Sequence, residues 1–176
     1  MSADVDANER TWDAHTAAEF VTADVDATMA TMTDDPVVLH VPTSIGARGR
    51  DAVRRLRRAL HRPPGRGHDP DGALADRHRG PGRRRDHHLF THDVEVPWVL
   101  PGVAPTGARV TVPIVTVIGM RDGLVDSEHI YWDQASVLAQ VGLLDPGGLP
   151  VTGADQIRPL APQPPADSFN ALLPRD

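Results

Sequence analysis

Between Arg10 and Thr33, the apolar positions Trp12, Phe20, Val21, Val25, Met29 and Met32 recur at steps that include three, four and seven, the spacing of one helical face. Asp24 has the short acceptor side chain of an N-cap, so the pattern predicts two helices divided there. Asp34-Asp35-Pro36 ends the helical pattern, because proline brings no amide hydrogen and clashes with the preceding turn. Val37 to Val41 then alternates as a strand, with Val38 and His40 on one face and Val37, Leu39 and Val41 on the other. After Pro42, Gly46 to Gly49 reads as a loop, and Arg50 to Leu60 as a short helix with Val53, Leu56 and Leu60 in line.

The pattern breaks at residues 61 to 88, where 28 positions use only seven residue types and none is β-branched. One leucine cannot offset an ordering cost of roughly 1–2 kcal/mol per residue, so this stretch reads as loop or disorder. Globular patterning returns with three predicted strands, Leu89 to Val96, Arg109 to Met120 and Leu124 to Trp132, expected to be antiparallel neighbours. Asp122-Gly123 supplies the positive φ angles of a tight hairpin between the last two. Ala135 to Val141 reads as a helix closed by Gly142, with Leu143 and Leu144 packing after it. The last 32 residues hold seven prolines and read as an extended strap. This gives one domain over residues 1–145 and a proline-rich tail over 146–176.

The net charge of −6 conceals a division: residues 48 to 88 carry 13 Arg against 5 Asp, leaving the remainder strongly acidic. The absence of cysteine excludes disulfide scaffolds, thiolate metal sites and cysteine nucleophiles, and fits a reducing compartment. No apolar run reaches the roughly 20 residues of a membrane span, and the acidic start MSADVDANER is unlike a secretory signal. The expectation is a cytoplasmic protein that does not engage membranes. The arginine-rich stretch is not interleaved with stacking aromatics, so nucleic acid is not an expected partner.

Candidate chemistry concentrates in Glu128-His129-Ile130-Tyr131-Trp132-Asp133, where acid, imidazole, phenol and indole fall on one strand. Alternation puts His129, Tyr131 and Asp133 on one face and Glu128, Ile130 and Trp132 on the other. Asp133 suits both general acid/base work in a sheltered pocket and capping of the helix that follows it, and the two roles are compatible. His40 must find a hydrogen-bond partner or face a cavity. His92 and Asp93 take opposite faces. His87, His88, His92 and Asp93 are chemically able to ligate a metal, but their spacing matches no closed site, and no metal is expected. No serine-nucleophile elbow, phosphate loop or dinucleotide fingerprint is present, which leaves cofactor-free proton chemistry.

The order of helices, a His-containing strand before Pro42 and a Gly46-to-Arg50 turn into a helix resembles the nuclear transport factor 2-like fold. Val103-Ala104-Pro105-Thr106-Gly107-Ala108-Arg109-Val110 is similar to the G-x-x-P-T-G-x-x-V segment of SnoaL-like polyketide cyclases. Asp122 to Val125, Glu128-His129, Trp132-Asp133 and Leu138 to Leu143 resemble that family's closing pattern. The resemblance covers about residues 10 to 60 and 89 to 145. It implies an α+β cone of curved antiparallel sheet and N-terminal helices, with a homodimer pairing sheets. It further implies a small apolar carbonyl ligand and no cofactor. Asp133 takes the acid/base position, and His40 and His92 line the cone. Trp98, His129, Tyr131 and Trp132 become candidate ligand contacts. A non-catalytic binding or accessory domain of the same fold is the alternative.

From about residue 57 to 89 the resemblance fails, because the family's apolar hairpin is missing. Two explanations stand. A high-GC bacterial gene read one base out of frame yields mainly Arg, Pro, Gly, His, Ala and Asp; a genuine arginine-rich insertion does the same. Reading the nucleotide sequence in all three frames separates them, since only the first explanation leaves an apolar hairpin in another frame.

Overall fold

The computed structural model describes residues 2–60, 85–170 and 172–173. Its elements run α1 (Ser2–Phe20), α2 (Val25–Ala30), β1 (Met32–His40), β2 (Ile45–Arg48), α3 (Arg50–Leu60), β3 (Arg85–Thr91), β4 (Arg109–Arg121), β5 (Leu124–Tyr131) and α4 (Gln134–Gln140). Two 3₁₀ segments, Gly153–Leu160 and Ala166–Ser168, follow. The chain divides into two compact units: Met1–Pro63 with Thr116–Ile130, and Pro64–Val115 with Tyr131–Asp176.

In the first unit Asp24 separates the two N-terminal helices as expected. Its Oδ1 accepts from the amides of Asp26 at 2.9 Å and Ala27 at 3.0 Å, two groups that the start of α2 leaves without partners. The strand order is β2-β1-β5-β4. β1 is longer than its β-branched run and starts at Met32. It absorbs Asp34, Asp35 and Pro36 in an irregularity: five steps from Met32 to Val37 match two steps from Val125 to Ser127 on β5. Asp and Pro are poor ladder residues, and skipping them lets the apolar stretch pair.

β1 and β5 run parallel, so the sheet, expected to be antiparallel, is mixed through this one pair. The Gly46–Gly49 loop is corrected as well: Ile45–Arg48 forms β2, antiparallel to β1 from His40↔Ile45 to Val37↔Arg48. Gly46 fits there because a Cβ would run into the carbonyl oxygen of Val38. At the β4–β5 hairpin, Asp122 and Gly123 take φ of 53° and 75°, the left-handed pair that a two-residue turn needs. Met29, Met32, Val38, Val53 and Val125 form the core of this unit, with Trp12, Leu56, Ile118 and Ile130 packed against it.

In the second unit β3 pairs antiparallel with the first half of β4, from Arg85↔Val115 to Thr91↔Arg109. The strand expected over Leu89 to Val96 therefore lies further toward the N-terminus. The arginine-rich expectation for residues 61–88 falls largely outside the described residues, and 85–88 belong to β3. Gly142 closes α4 with φ of 77°, and Leu143 donates its amide to Leu138 at 2.9 Å. Gln140 reaches β4: its Oε1 accepts the Thr111 amide at 2.8 Å, and its Nε2 donates to the Thr111 carbonyl at 3.0 Å. The tail forms 3₁₀ turns where an extended strap was expected, and Gly153–Leu160 packs on α4.

Replacing Met32, which is 1% exposed, by Ala is expected to lower unfolding free energy by about 2–5 kcal/mol in urea titration. Replacing the exposed Val117 by Ala should change it by no more than about 0.5 kcal/mol.

Candidate functional site

In the second unit, the segment from Tyr131 to Ser136 sets the orientation of several candidate groups. Trp132 is buried and meets Trp98 edge to face, with ring centroids 5.6 Å apart. Its indole N–H donates to Gln134 Oε1 at 2.6 Å, and Gln134 Nε2 donates to the Val99 carbonyl at 2.8 Å, so one amide fixes both the ring and the Val99 backbone. Asp133 is exposed and N-caps α4. Its Oδ1 accepts from the Ser136 amide at 3.1 Å, and its Oδ2 accepts from the Ser136 hydroxyl at 2.6 Å. Of the two roles the sequence offers Asp133, capping is visible. Tyr131 is exposed and His129 half-buried, while Glu128 and Trp132 are buried. The two faces divide as alternation requires, but the face that turns inward carries Glu128 and Trp132.

His92 lies at the end of β3, wholly buried. The Thr106 amide donates to its Nδ1 at 3.3 Å, and the Thr106 hydroxyl lies 3.1 Å from the same atom. An amide can only donate, so Nδ1 is an acceptor and a neutral ring carries its proton on Nε2. Burial disfavours the charged form and pulls the imidazole below its ordinary value, against the nearby Asp93 carboxylate. That Nε2 has no hydrogen-bond partner among the described residues.

His40, in the first unit, holds the opposite tautomer. Its Nδ1 lies 3.1 Å from the carbonyl of Ile45, which can only accept, so the proton sits on Nδ1 and Nε2 keeps its lone pair. Burial again lowers the pKa, opposed chiefly by the Ile45 hydrogen bond.

The same unit gathers a quartet of ionisable groups from three elements, three of them buried and Glu19 half-buried. Arg57 of α3, 3% exposed, contacts Glu128 of β5 through Nη2 and Glu19 of α1 through Nη1. His15 of α1 stacks on Trp12 at 5.3 Å. Its Nε2 lies 3.1 Å from Glu128 Oε1, 3.5 Å from Glu19 Oε2 and 3.2 Å from Arg57 Nη2. Its Nδ1 lies 2.6 Å from Thr31 Oγ1. Thr31 spends its own proton on the Thr28 carbonyl at 2.7 Å, so His15 Nδ1 is the donor. Burial opposes a charged His15, but hydrogen bonds to Glu128 and then Glu19 outweigh it and raise the pKa. Burial likewise opposes a charged Arg57, and the two carboxylates hold its pKa up.

Ligand atoms of His15, Glu19 and Glu128 lie within 4.8 Å of one another, close enough for a divalent ion. The Arg57 guanidinium already contacts both carboxylates and would repel and compete with a metal cation for their oxygens, so the donor set does not suit one.

Sequence reasoning named Glu128 without a role and missed His15, Glu19 and Arg57. Arg57 follows the apolar Val53 by four residues, which puts it on the buried helical face, and that was the available signal. A surface cleft of about 280 Å³ lies along the tail beside Arg158, Phe169 and Leu173, and none of the sequence-predicted site residues lines it. No described helix is long and apolar enough to cross a membrane.

No protein-family profile and no curated protein matches the chain. Solved structures do match it. A candidate SnoaL-like polyketide cyclase from Jannaschia sp. CCS1 is 16% identical, with 79% of this chain and 94% of that one covered and a TM-score of 0.51. A candidate polyketide cyclase from Xanthomonas campestris pv. campestris is 18% identical, with 78% and 98% covered and a TM-score of 0.52. Another from Acidithiobacillus ferrooxidans is 15% identical, with 77% and 94% covered and a TM-score of 0.53. At such identities the likeness shows the fold: helices with an unclosed mixed sheet of the nuclear transport factor 2-like type, shared with SnoaL-like polyketide cyclases.

Two outcomes follow for the quartet. The Arg57→Met variant is expected to lose about 3–5 kcal/mol in urea titration, because the buried Glu128 and the half-buried Glu19 are left without their guanidinium. Because the folded pKa of His15 exceeds its unfolded value of 6.5, its contribution is fully present below pH 6.5 and fades as pH rises through the folded pKa. Unfolding free energy measured from pH 5 to 9 should therefore carry a downward component above pH 6.5 that His15→Gln removes.

Proposed function

We propose that the protein binds an apolar, carbonyl-bearing small molecule and moves a proton beside that carbonyl without a cofactor, as a SnoaL-like cyclase, isomerase or lyase would. The observation that carries the reading is the buried His92 imidazole with an unused Nε2–H. A buried donor without a partner costs about 1–3 kcal/mol, and a ligand oxygen would recover that energy. A neutral N–H in a dry setting suits a carbonyl oxygen that gains negative charge during proton abstraction. His40, buried in the first unit with its proton on Nδ1, is assigned the role of base or relay. Asp133 is assigned as general acid/base, with Trp98, His129, Tyr131 and Trp132 as ligand walls. A homodimer in the cytoplasm completes the reading.

The exposure of Asp133 and the commitment of both its oxygens to Ser136 favour a second reading, a ligand-binding module without turnover. The two separate in an exchange experiment: a panel of cyclic ketones and lactones in D₂O, with deuterium uptake next to the carbonyl followed by proton NMR. On the first reading His92→Phe slows exchange by about 10²–10³-fold. Asp133→Asn slows it by about 10²–10⁴-fold while ligand affinity persists, and because Asn caps a helix as well as Asp, the loss is chemical. Binding with no exchange in the unaltered protein overturns the first reading in favour of the second.

A further inference from the structure

We infer that Thr106 is a positioning residue, fixing the buried His92 ring with its proton on Nε2 so that this N–H is the group offered to a ligand oxygen. The inference rests on the role given to His92 above, but its geometry stands independently of any ligand. Two Thr106 groups converge on one nitrogen, the amide at 3.3 Å and the hydroxyl at 3.1 Å from Nδ1. The hydroxyl oxygen also accepts the Ala108 amide at 3.3 Å, which turns its own hydrogen away from that amide and toward the ring.

The turn is pinned to His92 itself. The His92 amide donates to the Ala108 carbonyl at 2.8 Å, and the Gly107 amide donates to the His92 carbonyl at 2.9 Å. Gly107 sits at φ of 73°, a left-handed conformation suited to glycine, so the Pro105-Thr106-Gly107 turn presents Thr106 at a fixed angle. Thr106 is exposed, and its side chain has no part in the core. The charged neighbour acting on His92 is Asp93, which favours a proton on the ring and opposes the effect of burial.

The test is histidine-selective ¹⁵N labelling of the full chain with two-bond ¹H–¹⁵N correlation across pH, the His92 signals being assigned by their loss in His92→Gln. In the unaltered protein His92 is expected wholly as the Nε2–H tautomer, titrating below 6.5. Thr106→Val removes the hydroxyl and keeps the amide. It should keep the Nε2–H tautomer, because the amide still donates to Nδ1, and raise the titration midpoint by about half a unit to one unit. Thr106→Ser should restore the midpoint. A proton on Nδ1 in the unaltered protein, or an unchanged midpoint in Thr106→Val, overturns the inference. Neither readout needs a substrate, so failure of ketone exchange would remove the catalytic reading and leave the placement of His92 standing.

Discussion

A buried guanidinium between two carboxylates is the constraint on which the first unit depends. A charge moved out of water costs several kcal/mol unless it is met by opposite charge and hydrogen bonds. Arg57, Glu19 and Glu128 satisfy this requirement together, and each comes from a different element: α3, α1 and β5. Apolar packing among Met29, Met32 and Val53 supplies non-directional attraction, which tolerates sliding. The ionic contacts do not tolerate it, because they hold only when the last turn of α3, the C-terminal half of α1 and the middle of β5 meet in one register. His15 extends this fastening to Thr31, just beyond α2.

The local fold was legible wherever a single residue type carries a mechanism. Asp24 divided the helices through its capping oxygen, Asp122-Gly123 made the hairpin, and Gly142 ended α4. What alternation could not supply was polarity. It separated Glu128 and Trp132 from His129, Tyr131 and Asp133, but a period of two gives no sign for which set is buried. Nor could it reveal that β1 lies parallel to β5, because their sequence separation of about 90 residues leaves no local trace. Arg57 was hidden by its company: Arg54, Arg55 and Arg58 surround it, and only its place four residues after Val53 distinguished it from a solvated arginine.

The histidines show how one residue type acquires different chemistry from a single neighbouring atom. The carbonyl of Ile45 demands a proton from His40 Nδ1, whereas the amide of Thr106 forbids one on His92 Nδ1. Burial disfavours the charged form of both rings, and the two neighbours fix opposite tautomers. A fold that hosts many unrelated activities differentiates itself through such details, and they lie beyond what a strand pattern encodes.

The grip of Gln140 on Thr111 bears on strand pairing. Its amide group imitates a peptide unit, taking up both backbone hydrogen-bonding groups of one residue on β4. Exposed strand borders with unoccupied amides and carbonyls recruit other chains and seed aggregates. Gln140 of α4 takes up both groups of Thr111, so another strand finds neither of them open at this residue.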